Sequence, residues 1–97
     1  MTAPQLNVKV NFVLHIDERL APRKLQVSCP AGTTVQDLIE ILSDKYGDGM
    51  RSSLSDPNLM AIINGISQGK RCRAAKLDQT GETEIDVWFM LFLDHGG

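Results

Sequence analysis

The sequence predicts an α+β fold in which one main helix packs on one face of a mixed sheet of four or five strands. Three observations predict it. Apolar and polar residues alternate near the N-terminus, one amphipathic helix pattern follows, and a nearly continuous apolar run lies close to the C-terminus. A single helix of about three turns covers only one face of such a sheet, so the elements must form two layers.

The first two strands are predicted from an alternation of period two. From Leu6 to Ile16 every second residue is apolar, which is typical of a half-buried strand. A polar turn over residues 17–22 follows, and the alternation resumes at Leu25, Val27 and Cys29. The two segments therefore form a β-hairpin.

The main helix is predicted to begin after the break at Pro30-Ala31-Gly32. Thr33, with Gln36 three residues later, matches a capping box that satisfies the free amides of a helix start. Gly47 suits the end of the helix, because glycine tolerates a positive φ. The apolar residues at helical spacing are Val35, Leu38, Ile39, Leu42 and Tyr46.

Shorter elements are predicted between this helix and the last strand. Residues 48–58 contain Gly, Ser, Asp and Pro without a period, so we expect a loop there. Leu59 to Ile63 is a short apolar strand, and Asn64-Gly65 suits the positive backbone angles of a tight turn. Ile66 to Cys72 then returns as a short edge strand.

The last strand is predicted from Ile85 to Leu93, which is apolar at nearly every position and therefore indicates a strand buried on both faces. Placing it beside the first strand makes it central to the sheet. If Ile85 and Val87 meet the helix, the side chains pointing away are Trp88, Met90 and Phe92. This apolar patch indicates a partner surface, or a face covered by the 48–58 loop or by a second copy.

Length and charge limit the class of protein. We expect residues 1–97 to form a single domain, with residues 94–97 as a flexible tail. Ten Lys plus Arg against twelve Asp plus Glu give a net charge of -2, so nucleic acid is not an expected partner. The N-terminus carries no signal-peptide pattern and no apolar run reaches the length of a bilayer, so a cytoplasmic location without membrane attachment is expected.

No motif indicates catalysis or a metal site in this chain. Walker, GxSxG and HExxH patterns are absent from the sequence. Cys29 and Cys72 lie far apart and match no zinc or iron–sulfur spacing, so two separate thiols are expected. His95 is interpreted as a solvated residue and not as a general base. We therefore expect no catalytic residue and no bound cofactor.

A local basic cluster lies in the second half of the chain. It contains Lys70, Arg71, Arg73 and Lys76. Such a cluster can steer an acidic partner, and it is also typical of a solvated turn. Cys72 lies within it, where cationic neighbours can lower a thiol pKa.

The series of features resembles a known family. An alternating first strand, a capped helix, Ile63-Asn64-Gly65 and a terminal Gly96-Gly97 occur in this order. The chain resembles the ubiquitin-like β-grasp sulfur carriers, a group that includes the small subunit of molybdopterin synthase and the thiamine-pathway carrier. The resemblance implies a β-grasp fold whose working part is the carboxylate of Gly97.

The resemblance also implies a reaction and two partners. An E1-like adenylating enzyme would join Gly97 to AMP with ATP and magnesium, and sulfur would then replace AMP to give a thiocarboxylate. An acceptor enzyme, such as a synthase large subunit, would receive the sulfur, with molybdopterin-type synthesis as the first candidate pathway. Trp88, Met90 and Phe92 would dock these partners.

Two other functions fit the same sequence. One is a ubiquitin-like modifier, in which activated Gly97 forms an isopeptide bond to a lysine of a target protein. The other is a non-covalent β-grasp subunit of a larger enzyme, for which the two glycines have no role beyond ending the chain.

Overall fold

The computed structural model describes residues 5–13 and 24–91, except for the side chains of Lys70 and Arg71. A 3₁₀ helix, Gly69–Ala74, precedes the last strand. The other elements are β1 (Gln5–Phe12), β2 (Lys24–Pro30), α1 (Val35–Tyr46), α2 (Asp48–Leu54), β3 (Leu59–Ile63), β4 (Ile66–Ser67) and β5 (Glu84–Leu91).

The five strands form one mixed sheet in the order β2-β1-β5-β3-β4. β5 lies parallel to β1, with Val10 opposite Val87, and antiparallel to β3, with Ala61 opposite Phe89. The predicted N-terminal hairpin and the predicted central position of the last strand are confirmed. Leu14 and Ile16, which we assigned to the first strand, lie outside the described residues.

The core lies between the sheet and the helices. Alternate residues of β1 and β5 point into it, and the rings of Phe12 and Phe89 stack with centroids 5.9 Å apart. Four of the five residues that the apolar spacing of the helix predicts are buried, and the fifth, Tyr46, is half-buried against the core. The core residues from α1 are Val35, Leu38, Ile39 and Leu42.

The cap of α1 lies one residue later than the sequence analysis placed it. The capping box joins Thr34 and Asp37, because the Thr34 hydroxyl accepts from the Asp37 amide and the Asp37 carboxylate accepts from the Thr34 amide, both at 3.2 Å. The predicted pair of Thr33 and Gln36 was wrong. Thr33 is buried, and its hydroxyl donates to the Pro30 carbonyl at 2.6 Å.

The segment 48–58, predicted as a loop, contains the helix α2. Gly47 ends α1 with a φ of 91° and lets the next helix begin at once. Met50 and Leu54, one helical turn apart, are both buried in the core. The prediction was wrong because a single apolar pair among small polar residues gives too short a period to indicate a helix.

The edge strand predicted from Ile66 to Cys72 is only two residues long. Gly69, with a φ of 66°, turns the chain into the 3₁₀ helix. This places Cys72 in the core, where its thiol donates to the Leu59 carbonyl at 3.5 Å. The predicted turn at Asn64-Gly65 is confirmed, with a positive φ at both residues.

β5 is buried on one face only, so the prediction of burial on both faces was wrong. Ile85, Val87 and Phe89 point into the core, whereas Asp86 and Trp88 on the opposite face are exposed. The physical reason is that α1, α2 and the 3₁₀ helix all pack into one core on the inner side of the sheet. Among the described residues, no helix has the length and hydropathy needed to cross a membrane.

Candidate functional site

The face of the sheet that points away from α1, which we call the outer face, carries the candidate site. Residues on this face alternate in sequence with those of the core, as the pleat of each strand requires. Because α2 contributes to the core, the 48–58 segment does not cover the outer face. The outer residues are Asn7, Lys9, Asn11, Lys24, Gln26, Ser28, Met60, Ile62, Glu84, Asp86, Trp88 and Met90.

Trp88 lies at the centre of this face and is 37% exposed. Its indole Nε1 donates a hydrogen bond to Asp86 Oδ2 at 3.2 Å. Asn11, which lies opposite Trp88 on β1, donates from Nδ2 to Asp86 Oδ1 at 2.9 Å. The Asp86 carboxylate therefore holds the tryptophan and the neighbouring strand with one oxygen each.

An apolar strip crosses the two strands beside it. Met60, Ile62, Trp88 and Met90 make up this strip, with Ile62 directly opposite Trp88 and Met60 directly opposite Met90. Directly opposed side chains on one face of an antiparallel pair are near neighbours. Trp88 and Met90, two of the three residues predicted to point away from the helix, thus share one surface. Phe92, the third, lies outside the described residues.

The other half of the outer face is polar and hydrogen-bonded. Asn7 donates from Nδ2 to Glu84 Oε2 at 3.0 Å and accepts a hydrogen bond from Gln26 on the next strand. Between this row and Trp88 lies a shallow depression of about 490 Å³, lined in part by Lys9 and Lys24. The face therefore combines an apolar strip with a fixed polar border, which is the usual composition of a docking surface.

The tail that carries the predicted reactive end lies C-terminal to β5 in the sequence. β5 ends at Leu91, one residue after Met90 of the apolar strip. Gly96, Gly97 and His95 lie outside the described residues, and so does the predicted flexible tail 94–97. The described part of the chain ends at Leu91, three positions before the predicted tail begins at Asp94.

One residue of the predicted basic cluster, Arg73, has a structural role. The Arg73 guanidinium donates to the Leu54 carbonyl at 2.9 Å, to the Asp56 carbonyl at 3.2 Å and to Gln36 Oε1 at 3.3 Å. It therefore satisfies carbonyl groups at the C-terminal end of α2. Lys76 is exposed, and the side chains of Lys70 and Arg71 are among those not described.

Neither cysteine is placed for thiolate chemistry. Cys29 and Cys72 are both buried and free. Burial raises the pKa of the Cys72 thiol, and the nearby Arg73 opposes this rise only in part. Burial likewise raises the pKa of the Cys29 thiol, against a lowering hydrogen bond with Thr33. Burial therefore favours the protonated, uncharged form of both thiols, and both side chains belong to the core.

Two residues of the candidate site, Asn11 and Asp86, were not predicted from the sequence. Asn11 and Asp86 read as ordinary polar positions in alternating or apolar strands, and their contact joins residues 75 positions apart. A carboxylate two residues before a tryptophan on one strand is the only signal that sequence offers for this pair. Within the described ranges, no group of three or more His, Cys, Asp or Glu side chains could hold a metal ion.

Comparison with known proteins identifies the fold. No family model and no curated protein matches the sequence. Among solved structures, a protein designed de novo on the basis of ubiquitin is 20% identical, with a TM-score of 0.57 over 97% of this chain and 96% of its own. The ubiquitin-like domain of an Arabidopsis thaliana protein is 16% identical, with a TM-score of 0.57 over 92% of this chain and 79% of its own.

A Haloferax volcanii protein solved in solution is also similar. It is 15% identical, with a TM-score of 0.62 over 92% of this chain and 87% of its own. At these identities the likeness concerns the fold alone. Together with the five-stranded mixed sheet, it shows that the chain has a ubiquitin-like β-grasp fold.

Proposed function

We propose that this ubiquitin-like β-grasp protein is a sulfur carrier whose C-terminal Gly97 is adenylated and converted to a thiocarboxylate. The observation that carries the proposal is that the central strand of the fold leads, after Leu91, into a sequence ending in Gly96-Gly97. Two terminal glycines suit this task, because a chain end that enters a partner's active site must be thin, and glycine lacks the Cβ that would block a narrow channel.

In this proposal the partner enzymes catalyse each step, and the carrier supplies only the carboxylate that is modified. A free carboxylate is a poor acyl donor, so an E1-like adenylating enzyme first joins Gly97 to AMP, using ATP and magnesium. A sulfur donor then replaces AMP at the carbonyl carbon of Gly97. The thiocarboxylate passes its sulfur to an acceptor enzyme, with molybdopterin-type cofactor synthesis as the first pathway to test. In this scheme no side chain of the carrier acts as a catalyst.

The apolar strip supports the docking part of the proposal. Trp88 is exposed, and its ring is held by the hydrogen bond to Asp86, so little side-chain freedom is lost when a partner covers it. Met90 lies on the same face, and we propose that Phe92, two residues later in the sequence, also docks the partner. A partner that covers this face would hold the carrier beside the strand from which the reactive end emerges.

The test is the intact mass of the full chain after incubation with ATP, magnesium, a sulfide source and the adenylating enzyme of its own genome. We expect a mass gain equal to replacing one oxygen by sulfur, localised to Gly97. Deletion of Gly97 should abolish the gain without changing the melting temperature, because a terminal residue contributes little to the core.

Two outcomes would contradict the proposal. If Gly97 becomes linked to lysine side chains of other proteins and no thiocarboxylate forms, the chain is a protein modifier. If Gly97 stays unmodified while the chain forms a stoichiometric complex that survives Gly97 deletion, it is a binding subunit.

A further inference from the structure

The turn between β3 and β4 contains the dipeptide Asn64-Gly65, whose asparagine side chain can react with the backbone. Asn64, with a φ of 48°, is followed by Gly65, with a φ of 83°. An asparagine side chain can react with the backbone nitrogen of the following residue, and glycine hinders this approach least because it has no Cβ. No atom lies within 4 Å of the place where a Cβ of Gly65 would stand. Apart from its two chain neighbours, no residue of the described structure therefore crowds Gly65 on this side.

Two hydrogen bonds nevertheless restrict rotation of the Asn64 side chain. Its Oδ1 accepts from the Asp86 amide at 2.8 Å, and its Nδ2 donates to Glu82 Oε2 at 3.0 Å. The backbone amide of Asn64 also donates to the Asp86 carbonyl at 2.8 Å. These contacts extend the ladder between β3 and β5 by one position, with a side chain serving as one of the acceptors.

We propose that Asn64 is a deamidation site, hydrolysed to aspartate or isoaspartate with release of ammonia, and that its contacts with Glu82 and Asp86 restrain the reaction in the folded chain. The proposal is independent of the sulfur-carrier function. Ring closure requires Cγ of Asn64 to turn toward the Gly65 nitrogen. Both side-chain hydrogen bonds must open before this can happen.

The steps balance with water as the only co-reactant. The Gly65 nitrogen loses its proton to solvent base and bonds to Asn64 Cγ, and the bond from Cγ to Nδ2 breaks as Nδ2 takes up a proton and leaves as ammonia. Water then adds to one of the two ring carbonyls and opens the succinimide. Opening on one side gives aspartate, and opening on the other gives isoaspartate.

The product changes the same contacts that restrain its formation. A carboxylate at position 64 cannot donate to Glu82, and it places two negative charges where the hydrogen bond of 3.0 Å now lies. Isoaspartate also adds a methylene to the backbone of the turn, between the paired residues Ile63 and Ile66. The Asp86 amide donates to Asn64, and the Asp86 carboxylate accepts from Trp88. A change at position 64 therefore also affects the outer face.

The experiment incubates the folded full chain at physiological temperature and mildly alkaline pH, followed by digestion and mass spectrometry. Asn58, which precedes Leu59, is the internal control in the same sample. We expect Asn64 to lose its amide about tenfold faster than Asn58, since leucine hinders the attacking nitrogen and glycine does not. In water enriched in a heavy oxygen isotope, the product should carry one heavy oxygen.

Variants at Glu82 test the restraint. Glu82→Ala removes the acceptor of Nδ2 and should speed the loss at Asn64 roughly three- to tenfold, the equivalent of one hydrogen bond. Glu82→Gln keeps an oxygen acceptor and should leave the rate close to that of the unaltered chain. Equal rates at Asn64 and Asn58 in both the unaltered chain and Glu82→Ala would overturn the assignment of the site.

The restraint has its own contrary outcomes. It is overturned if Glu82→Ala leaves the Asn64 rate unchanged, or if Asn58 accelerates equally in that variant, because the whole chain would then be opening.

Discussion

Asp86 and Trp88 lie two residues apart on the same face of β5, and the indole Nε1 donates to the Asp86 carboxylate at 3.2 Å. The other oxygen of this carboxylate accepts from Asn11 on the parallel neighbour strand. A polar contact thus fixes the orientation of Trp88, which is exposed on the outer face. Because this hydrogen bond orients the Trp88 ring, the apolar strip has a defined shape at its centre.

Replacement of Trp88 should separate docking from folding. Trp88→Ala removes the central side chain of the strip, and we expect it to weaken binding of the adenylating enzyme by about 1–2 kcal/mol while the fold is retained. Titration calorimetry with that enzyme measures the loss. Ile66→Ala is the matched control, because Ile66 is 52% exposed but lies outside the strip. An equal loss in both variants would contradict the assignment of the docking surface.

Replacement of Asp86 should loosen the tryptophan. Asp86→Ala removes the acceptor of both the indole and Asn11, so we expect faster motion of the Trp88 ring and a drop of about 1–2 kcal/mol in the free energy of unfolding. Trp88 is the single tryptophan of the chain, so its fluorescence anisotropy reports this site alone. Asp86→Asn retains one oxygen acceptor and should show a smaller change. Unaltered anisotropy in Asp86→Ala would show that the hydrogen bond does not hold the ring.

Arg73 should be more important for stability than its basic neighbours. Arg73→Ala leaves the carbonyls of Leu54 and Asp56 without their donor, and we expect the free energy of unfolding to fall by about 1–3 kcal/mol. Chemical denaturation measures the change. Lys76→Ala, at an exposed position, should stay within about 0.5 kcal/mol of the unaltered chain. An equal change in the free energy of unfolding in both variants would show that Arg73 behaves as an ordinary solvated surface charge.

The two buried thiols should make the fold sensitive to alkaline pH. Because burial raises the pKa of Cys29 and Cys72, the folded chain keeps protons that the unfolded chain releases. This contribution to stability is complete below the ordinary thiol pKa and is lost as pH rises through the raised value. We expect the free energy of unfolding to fall over this alkaline range.

Denaturation at a series of alkaline pH values measures this slope. The double variant Cys29→Ala with Cys72→Ala should show a shallower slope, whatever its absolute stability. An unchanged slope would assign the pH dependence to other groups.

Most elements were predictable because their signals are local. β1, β2 and α1 repeat apolar residues at the spacing of their own geometry, β3 and β5 are short apolar runs, and the Asn64-Gly65 turn has a chemical signature. The outward position of Trp88 and Met90 follows from the same alternation. These features need no knowledge of what each residue contacts across the fold.

The features that were missed depend on contacts between distant residues. α2 is held by Met50 and Leu54 against a core that forms elsewhere, so its own sequence carries little helical signal. Thr33 resembles a cap in sequence, but its hydroxyl donates to the Pro30 carbonyl and the cap moves to Thr34. Arg73 finds its acceptors 17 to 37 positions away. No local period reports such contacts.

The central position of β5 has a consequence for synthesis. β5, which lies between β1 and β3, is made after both of them, so a chain that stops before Glu84 leaves both partner strands with open edges. Pairing the two ends of the chain also makes folding depend on long-range contacts, which are slow to form. Trp88 and Met90 of the apolar strip lie on β5, so a partner that binds the strip would bind only chains in which this strand has been made and has paired with β3.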